Sequence, residues 1–165
     1  MTEKKVIHTV CMPHTVSSLV VDFRELGVKE GMTLIVHTSL SSLGWVCGGA
    51  EAVIQALMEA VGEEGTLVMP AQSAGNSDPA EWMAPPVPES WWPVIREHMP
   101  AFSRETTATR GMGAIAELFR RYPGVVRSNH PMYSFTAWGK NREYVTEHQP
   151  LQAGFGETSP LAKIY

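Results

Sequence analysis

The stretch "VHTSLSSLGWVCGGAEAVIQAL", residues 36–57, joins an apolar run to a helical pattern through hydroxyl residues and a Gly-Gly pair. The overlapping segment "GMTLIVHTS" (31–39) is short, apolar and rich in β-forming residues, which predicts a buried strand. The segment "GGAEAVIQALMEAVG" (48–62) spaces its aliphatic residues one turn apart, which predicts a helix that Gly62 ends. The stretch therefore predicts a strand, a hydroxyl-rich loop and a helix in succession.

The rest of the chain continues this alternation of helix and strand. Residues 15–26 have helical apolar spacing, and 65–71 form a second apolar run that Pro70 interrupts. Downstream, the patterns predict helices near Pro93 and over 113–122 and 141–148, and strands at "GVVRS" (124–128) and "YSFTAWG" (133–139). This order predicts an α/β fold with a central mixed sheet and flanking helices, in a single domain over residues 1–165.

Composition excludes several classes of protein. The chain of 165 residues is 44% hydrophobic and 18% charged, which is typical of a folded domain. A net charge of −4 argues against a nucleic-acid partner. Two cysteines, Cys11 and Cys47, are too few for a disulfide framework. We find no signal peptide and no run of the ~18 apolar residues of a membrane span, so we expect a cytoplasmic protein without a membrane partner.

The hydroxyl-rich loop has the composition of an anion site. Residues 38–42 supply hydroxyl groups, and Gly44 and the pair Gly48-Gly49 lead into the predicted helix. A helix N-terminus carries about half a positive charge and unpaired N–H groups, which bind phosphate readily. Neither a G-x-G-x-x-G nor a Walker sequence is present. The alternative is a serine-rich loop before a helix that needs caps.

Two further segments contain candidate functional residues. In "TTATRGMG" (106–113), Arg110 beside flexible glycines can clamp an anion, or it is a surface arginine near a helix cap. In "RSNHPMYSF" (127–135), His130 lies in a turn fixed by proline and can act as a base, a donor or a structural residue. His37 has the same ambiguity. No histidine pair has metal-ligand spacing, so we expect no metal.

Several blocks together resemble the aminoglycoside 3-N-acetyltransferase family, in its YokD-like branch. The blocks follow in family order from about residue 15 to Tyr165: the opening stretch, "GTLVMPAQS", "DPAEW", "PPVPESWW", "MPAFSRETTATRGMGAIAELFR", "PGVVRSNHPMYSFTAWG" and "GFGETSPLAKIY". The resemblance implies the family's own α/β fold and acetyl-CoA as donor. It also implies that the acceptor is the 3-amino group of a 2-deoxystreptamine aminoglycoside, and hence a role in antibiotic resistance.

The resemblance also implies roles for individual residues. By motif, the coenzyme A block corresponds to His37, Thr38, Ser39, Leu40 and Val46, a second contact block to Arg110, Gly111 and Met112, and the border of the same cleft to Ser134 and Phe135. In the proline-rich loop, Asp78 and Glu81 can attract a polycationic sugar, or they belong to a solvated acidic loop.

One departure from the family pattern leaves the mechanism open. Family members continue past "SPLAKIY", and the histidine and glutamate that resemble the family's catalytic pair belong to that later block. Within this chain, His130 is the candidate catalytic residue and His37 is the other possible base. The alternatives are a coenzyme A-binding module with weak catalysis, an interaction domain or homo-oligomer joined through an unpaired sheet edge, and an acetyltransferase for another amine.

Overall fold

Four strands form the sheet: β1 (Thr33–Ile35), β2 (Thr66–Pro70), β3 (Val126–Arg127) and β4 (Phe135–Gly139). The computed structural model describes residues 6–7 and 10–165, and in them the strand order is β1-β2-β4-β3. Strand β1 runs parallel to β2, whereas the β2–β4 and β3–β4 pairs are antiparallel. The predicted mixed α/β sheet is therefore confirmed.

The helices lie close to the segments that the sequence predicts, except for the last one, which was not predicted. They are α1 (Val16–Glu25), α2 (Gly49–Val61), α3 (Trp92–His98), α4 (Gly113–Phe119), α5 (Arg142–Thr146) and α6 (Pro160–Ile164). Helix α1 begins with a capping box, in which the side chains of Thr15 and Ser18 accept each other's backbone N–H. The proline-rich loop between β2 and α3 contains only short 3-10 turns. Among the described helices, none is long and apolar enough to cross a membrane.

The core lies on both faces of β2, whose five residues are all buried. Because successive side chains of a strand point to opposite faces, Leu67 and Met69 pack in one cluster with α1, α2 and α4. Val68 packs in the other cluster with Ala137 of β4 and with apolar residues of α5 and α6. Each fully buried aliphatic side chain contributes about 1.5–3 kcal/mol, so β2 makes a large contribution to the stability of the core.

The prediction that the first strand is buried is wrong. Ile35 of β1 is 40% exposed, and neighbouring Met32 is 38% exposed. Among the described residues, β1 pairs only with β2 and forms one edge of the sheet. Leu34 turns inward to the cluster of α1 and α2, whereas the strand's other residues face outward. An apolar run without alternation does not reveal that a strand lies at an edge.

Gly139 offers a test of the sheet geometry. Its φ is +97°, and a Cβ there would lie 2.1 Å from the carbonyl oxygen of Gly65. Gly27 has nearly the same φ, +94°, but a Cβ there meets nothing within 4 Å. We expect Gly27→Ala to lower the free energy of unfolding by about 1–2 kcal/mol, the cost of the left-handed backbone. Gly139→Ala should lower the free energy of unfolding by about 2 kcal/mol more, because its Cβ would clash with the neighbouring strand. Urea denaturation measures both values. Equal losses would contradict the close strand approach.

Candidate functional site

A cavity of about 610 Å³ lies between two loops beside the sheet. Its first wall is the loop that follows β1, residues 38–46, together with the start of α2. Its second wall is residues 111–114, which lead into α4. The lining residues are Val6, Thr38, Ser39, Leu40, Ser41, Gly44, Trp45, Val46, Gly49, Gly111, Met112, Gly113 and Ala114.

Backbone pairing with an N-terminal segment anchors the first wall. The N–H of His14 donates to the carbonyl of Trp45 at 2.9 Å, and the N–H of Cys47 donates to the carbonyl of His14 at 2.8 Å. Between this bridge and β1 the chain makes a single 3-10 turn, and the Oγ atoms of Ser39 and Ser41 lie 3.3 Å apart. These hydrogen bonds hold the backbone of the wall in place, and the hydroxyl groups are attached to that backbone.

The N-terminus of α2 completes the first wall. Gly48, in a left-handed conformation, precedes the helix, and Gly49 lines the cavity. No side chain caps this end of the helix. The N–H groups of the first turn therefore have no side-chain partner, and the positive end of a 13-residue helix lies at the cavity.

The second wall approaches the first closely at Gly113. Its φ is +86°, and a Cβ at this position would lie 3.5 Å from the carbonyl oxygen of Thr38. The left-handed backbone favours glycine here. The cavity is therefore narrow at this point, where backbone faces backbone.

A carboxylate on α4 holds the loop before the second wall. Glu117 accepts hydrogen bonds from the N–H and hydroxyl of Thr109, at 2.9 and 2.8 Å. It also accepts from Arg120 at 2.6 and 2.9 Å and from Arg121 at 2.7 Å. Hydrogen bonds from Arg120, foremost, lower the pKa of Glu117 from 4.5 to about 2. Arg120 in turn donates to the carbonyl of Glu105 at 2.8 Å, so both ends of the 105–109 segment are tied to α4.

The cavity combines hydroxyl groups with an apolar surface. Thr38, Ser39 and Ser41 supply the hydroxyls, and the apolar part comes from aliphatic side chains, Met112 and Trp45. None of the described residues that line the cavity has an ionisable side chain. Residues 6–7 and 10–165 also contain no group of three or more His, Cys, Asp or Glu placed to hold a metal ion. Such a cavity suits an elongated ligand with apolar and hydrogen-bonding parts.

Most of the residues predicted for coenzyme A lie together on the cavity. The structure brings together Thr38, Ser39, Leu40, Val46, Gly111 and Met112. His37 and Arg110 are their sequence neighbours but do not line the cavity. The N–H of Arg110 donates to the carbonyl of Gln72 at 2.9 Å, and its exposed side chain passes near Gly75. Contact with a ligand stays a prediction for all eight residues.

The structure corrects the prediction that Ser134 and Phe135 border the cleft. Both are buried, at 0% and 2% exposure. The hydroxyl of Ser134 donates to the carbonyl of Ala71 at 2.8 Å and accepts from Arg127 Nε at 3.0 Å. Phe135 packs with Val68 in the core cluster on the side of α5 and α6. Both side chains therefore make their contacts within the protein. Ser134 hydrogen-bonds to Ala71 and Arg127, and Phe135 begins β4, which lies between two other strands.

His130, predicted as the catalytic residue, is also buried and does not line the cavity. It is 3% exposed, and its Nδ1 accepts the N–H groups of Met132 and Tyr133 at 3.1 and 3.0 Å. Burial lowers the pKa of His130, and the backbone of Leu151 opposes this shift. A proton on Nδ1 would break both hydrogen bonds. The geometry therefore favours a structural role in the turn rather than proton abstraction from a substrate.

Asp78 has a partner within the proline-rich loop. Its carboxylate accepts two hydrogen bonds from Arg96, at 2.8 and 2.9 Å, and one from the N–H of Ala80 at 2.9 Å. The Arg96 guanidinium, foremost, holds the pKa of Asp78 below its ordinary value. Glu81 is exposed and has no ion-pair partner among the described residues. Of the two predicted substrate residues, only Glu81 has a carboxylate without a local partner.

Sequence reasoning missed some residues that shape the site. Trp45 and Ala114 line the cavity, and no sequence pattern singles them out. Glu117 positions the second wall indirectly, and the sequence does contain a signal for this role. Arg120 and Arg121 follow at the i+3 and i+4 positions, where oppositely charged side chains meet on a helix.

The fold is that of a family of acyltransferases. The family model described as aminoglycoside 3-N-acetyltransferase matches residues 35–165, and the chain belongs to this family. The SPbeta prophage-derived aminoglycoside N(3')-acetyltransferase-like protein YokD of Bacillus subtilis is 58% identical over 163 residues, which are 98% of this chain and 60% of YokD. Aminoglycoside N(3)-acetyltransferase VIII of Streptomyces fradiae is 38% identical over 169 residues, covering 99% of this chain and 57% of that enzyme.

Solved structures agree with this assignment of the fold. The crystal structure of YokD superimposes with a TM-score of 0.96 over 98% of this chain and 60% of the YokD chain, at 57% identity. A structure of AAC-IIIb in binary complex with CoASH superimposes with a TM-score of 0.79 at 35% identity, over 93% of this chain and 56% of that one. This chain therefore spans 50–60% of the length of the curated relatives that it matches.

Replacement of Glu117 tests how the second wall is held. Because its pKa is lowered in the folded state, Glu117 stabilises the fold above the unfolded value of 4.5, and this contribution is lost as the pH falls towards 2. We expect Glu117→Gln to cost roughly 2 kcal/mol of unfolding free energy at pH 7, allowing for solvent screening at this partly exposed group. Glu59→Gln on α2 is the control and should change the free energy by less than about 0.5 kcal/mol. Urea titrations from pH 7 to 2.5 that show a pH-independent difference between Glu117→Gln and wild type would contradict this account.

Proposed function

We propose that this chain is an acetyl-CoA-dependent N-acetyltransferase that modifies the 3-amino group of 2-deoxystreptamine aminoglycosides. The observation that carries the proposal is the cavity between residues 38–46 and 111–114, with hydroxyl groups and the uncapped end of α2 on one wall. The complex of AAC-IIIb with CoASH, a protein of the same fold, supports the donor. The complex of AAC-VIa with sisomicin supports the class of acceptor.

The lining residues fit the chemistry of acetyl-CoA. The pyrophosphate of coenzyme A is anionic, and the positive end of α2 together with the hydroxyls of Ser39 and Ser41 can donate hydrogen bonds to it. The pantetheine arm is partly apolar, and Leu40, Val46 and Met112 offer matching surface. No carboxylate among the described lining residues repels the phosphates.

The reaction needs a base and a stabilised oxyanion. The acceptor amine loses a proton, its lone pair attacks the thioester carbonyl, and the C–S bond breaks to release the thiol. Ser39 and Gly111 line the cavity, and backbone N–H groups near them can stabilise the negative oxygen. His37, which is exposed and directly precedes Thr38, is the base that we assign.

The acceptor and the setting complete the proposal. A polycationic aminoglycoside is attracted by exposed carboxylates, and Glu81 in the proline-rich loop is the candidate contact. The complex of AAC(3)-IVa with apramycin supports a small-molecule acceptor of this kind. A cytoplasmic location, expected from the sequence, is part of the proposal.

A second candidate function is coenzyme A binding without catalysis. The observation in its favour is that no described residue lining the cavity has an ionisable side chain, so binding and proton transfer are separable. Calorimetry and thiol release distinguish the two functions. Binding of coenzyme A without thiol release in the presence of acetyl-CoA and gentamicin identifies a binding module.

A charge placed in the cavity tests the coenzyme A site. Ser41→Glu adds a carboxylate to the first wall and should weaken coenzyme A binding about tenfold at low salt, because the ligand is anionic. The loss should shrink as added salt screens the charges. Ser41→Gln is the control, since it has nearly the same size without the charge. Calorimetric dissociation constants that change equally in the two variants would place the ligand elsewhere.

A histidine variant tests the assigned base. We expect His37→Gln to lower kcat/KM for acetyl transfer to gentamicin about 100-fold, the smaller end of a general base's contribution. The dissociation constant for coenzyme A is measured on the same variant, because a rise there would support the predicted coenzyme A contact of His37. His98→Gln, at an exposed position on α3, is the control and should keep wild-type rates. Thiol release followed with a chromogenic disulfide is the measurement, and wild-type kcat/KM in His37→Gln would exclude His37 as the base.

A further inference from the structure

Arg127 on β3 is a buried arginine that binds only neutral acceptors. It is 4% exposed. Its three guanidinium nitrogens donate to main-chain carbonyls and serine hydroxyls. The acceptors are Ser134 Oγ at 3.0 Å, the Thr107 carbonyl at 2.5 Å, the Arg104 carbonyl at 3.3 Å, the Ala71 carbonyl at 2.6 Å and Ser73 Oγ at 3.3 Å.

This charge has no carboxylate partner among the described residues. The ring of Phe102 lies 4.9 Å from the guanidinium carbon and covers one of its faces. Burial, foremost, lowers the pKa of Arg127 to about 10, and the charge of Arg120 acts in the same direction, whereas the more distant Glu117 carboxylate opposes the shift without forming an ion pair. A buried charge is costly unless it is fully hydrogen-bonded, so these acceptors must keep their places around it.

The acceptors belong to three segments that are distant in sequence. Ala71 and Ser73 follow β2, Ser134 precedes β4, and the remaining carbonyls lie in the 102–107 loop. This loop has no regular secondary structure. One side chain therefore ties an irregular loop to the adjacent ends of two central strands.

The same loop leads directly to the second wall of the cavity. Three residues beyond Thr107, the N–H of Arg110 donates to the Gln72 carbonyl, so the loop is tied again to the segment after β2. Gly111 and Met112 of the cavity wall follow immediately. Because Arg110 lies only three residues beyond Thr107, a shift of the 102–107 loop would act on this second tie and on the wall that follows it.

We propose that Arg127 is a positioning residue for coenzyme A, which holds the 102–107 loop against the ends of β2 and β4 and so sets the position of the second wall. This inference rests on the proposed function. Arg127 does not line the cavity and acts only through the loop.

The test is Arg127→Lys, which keeps the positive charge but loses the planar fork that reaches three segments at once. We expect faster amide hydrogen exchange over residues 102–110. We also expect the dissociation constant for coenzyme A to rise about tenfold, because only the fraction of molecules with the ordered loop binds well. Arg142→Lys is the matched control, since Arg142 is 42% exposed and pairs with Glu143. It should change neither quantity.

Both measurements are made at a temperature where the variant is folded, since a loss of global stability alone does not change the affinity of folded molecules. Ser73→Ala removes a single acceptor of Arg127 and replaces Arg127→Lys if the latter does not fold, with the same directions expected. Wild-type exchange over 102–110 overturns the proposal, and so does faster exchange with unchanged coenzyme A affinity. Failure of the wild-type chain to bind coenzyme A contradicts the proposed function, and the exchange measurement then decides whether Arg127 holds the loop.

Discussion

Buried and partly buried hydrogen bonds to main-chain atoms hold the irregular loops of this protein in place. Glu117 secures the segment before the second wall from the side of α4, and Arg127 secures the same segment from the side of the sheet. A typical hydrogen bond contributes only about 1 kcal/mol net, but an unpaired buried partner costs about 1–3 kcal/mol. These two side chains therefore specify one loop arrangement more strongly than their net stabilisation suggests.

The sheet and the cavity have separate roles. Strand β2, buried on both faces, is the rigid support, and the cavity walls are segments outside the strands. The first wall follows the end of β1, which is parallel to β2. Ligands of open α/β sheets bind beyond the carboxyl ends of the strands, and this cavity has that position. The stable centre thus supports loops whose side chains are available to bind a ligand.

The cavity's composition separates ligand binding from acid–base chemistry. Its described lining has hydroxyl, aliphatic and aromatic side chains but no ionisable one. In the proposed function, such a lining binds the acetyl donor, whereas the base, assigned to His37, comes from outside the lining. The chain belongs to the aminoglycoside 3-N-acetyltransferase family and spans 50–60% of the length of the curated relatives that it matches. Binding and turnover therefore need separate measurements.

Local sequence patterns were sufficient to predict most of the helices and the hydroxyl-rich loop that forms one wall of the cavity. The apolar periodicity of 15–26 and of 48–62 predicted α1 and α2 closely, because amphipathicity is set by residues within a few positions. The hydroxyl and glycine residues after β1 indicated a ligand site for the same reason. Family motifs added Gly111 and Met112, which come from a distant segment.

Long-range contacts decided the rest. Ser134 belongs to a motif that suggested a ligand contact, but its hydroxyl binds the carbonyl of Ala71, 63 positions away. His130 was an ambiguous histidine until its burial and its two backbone partners were known. The edge position of β1 likewise depends on which strands lie beside it. Burial and hydrogen-bond partners are properties of segments that meet only in the folded chain, so no local pattern contains them.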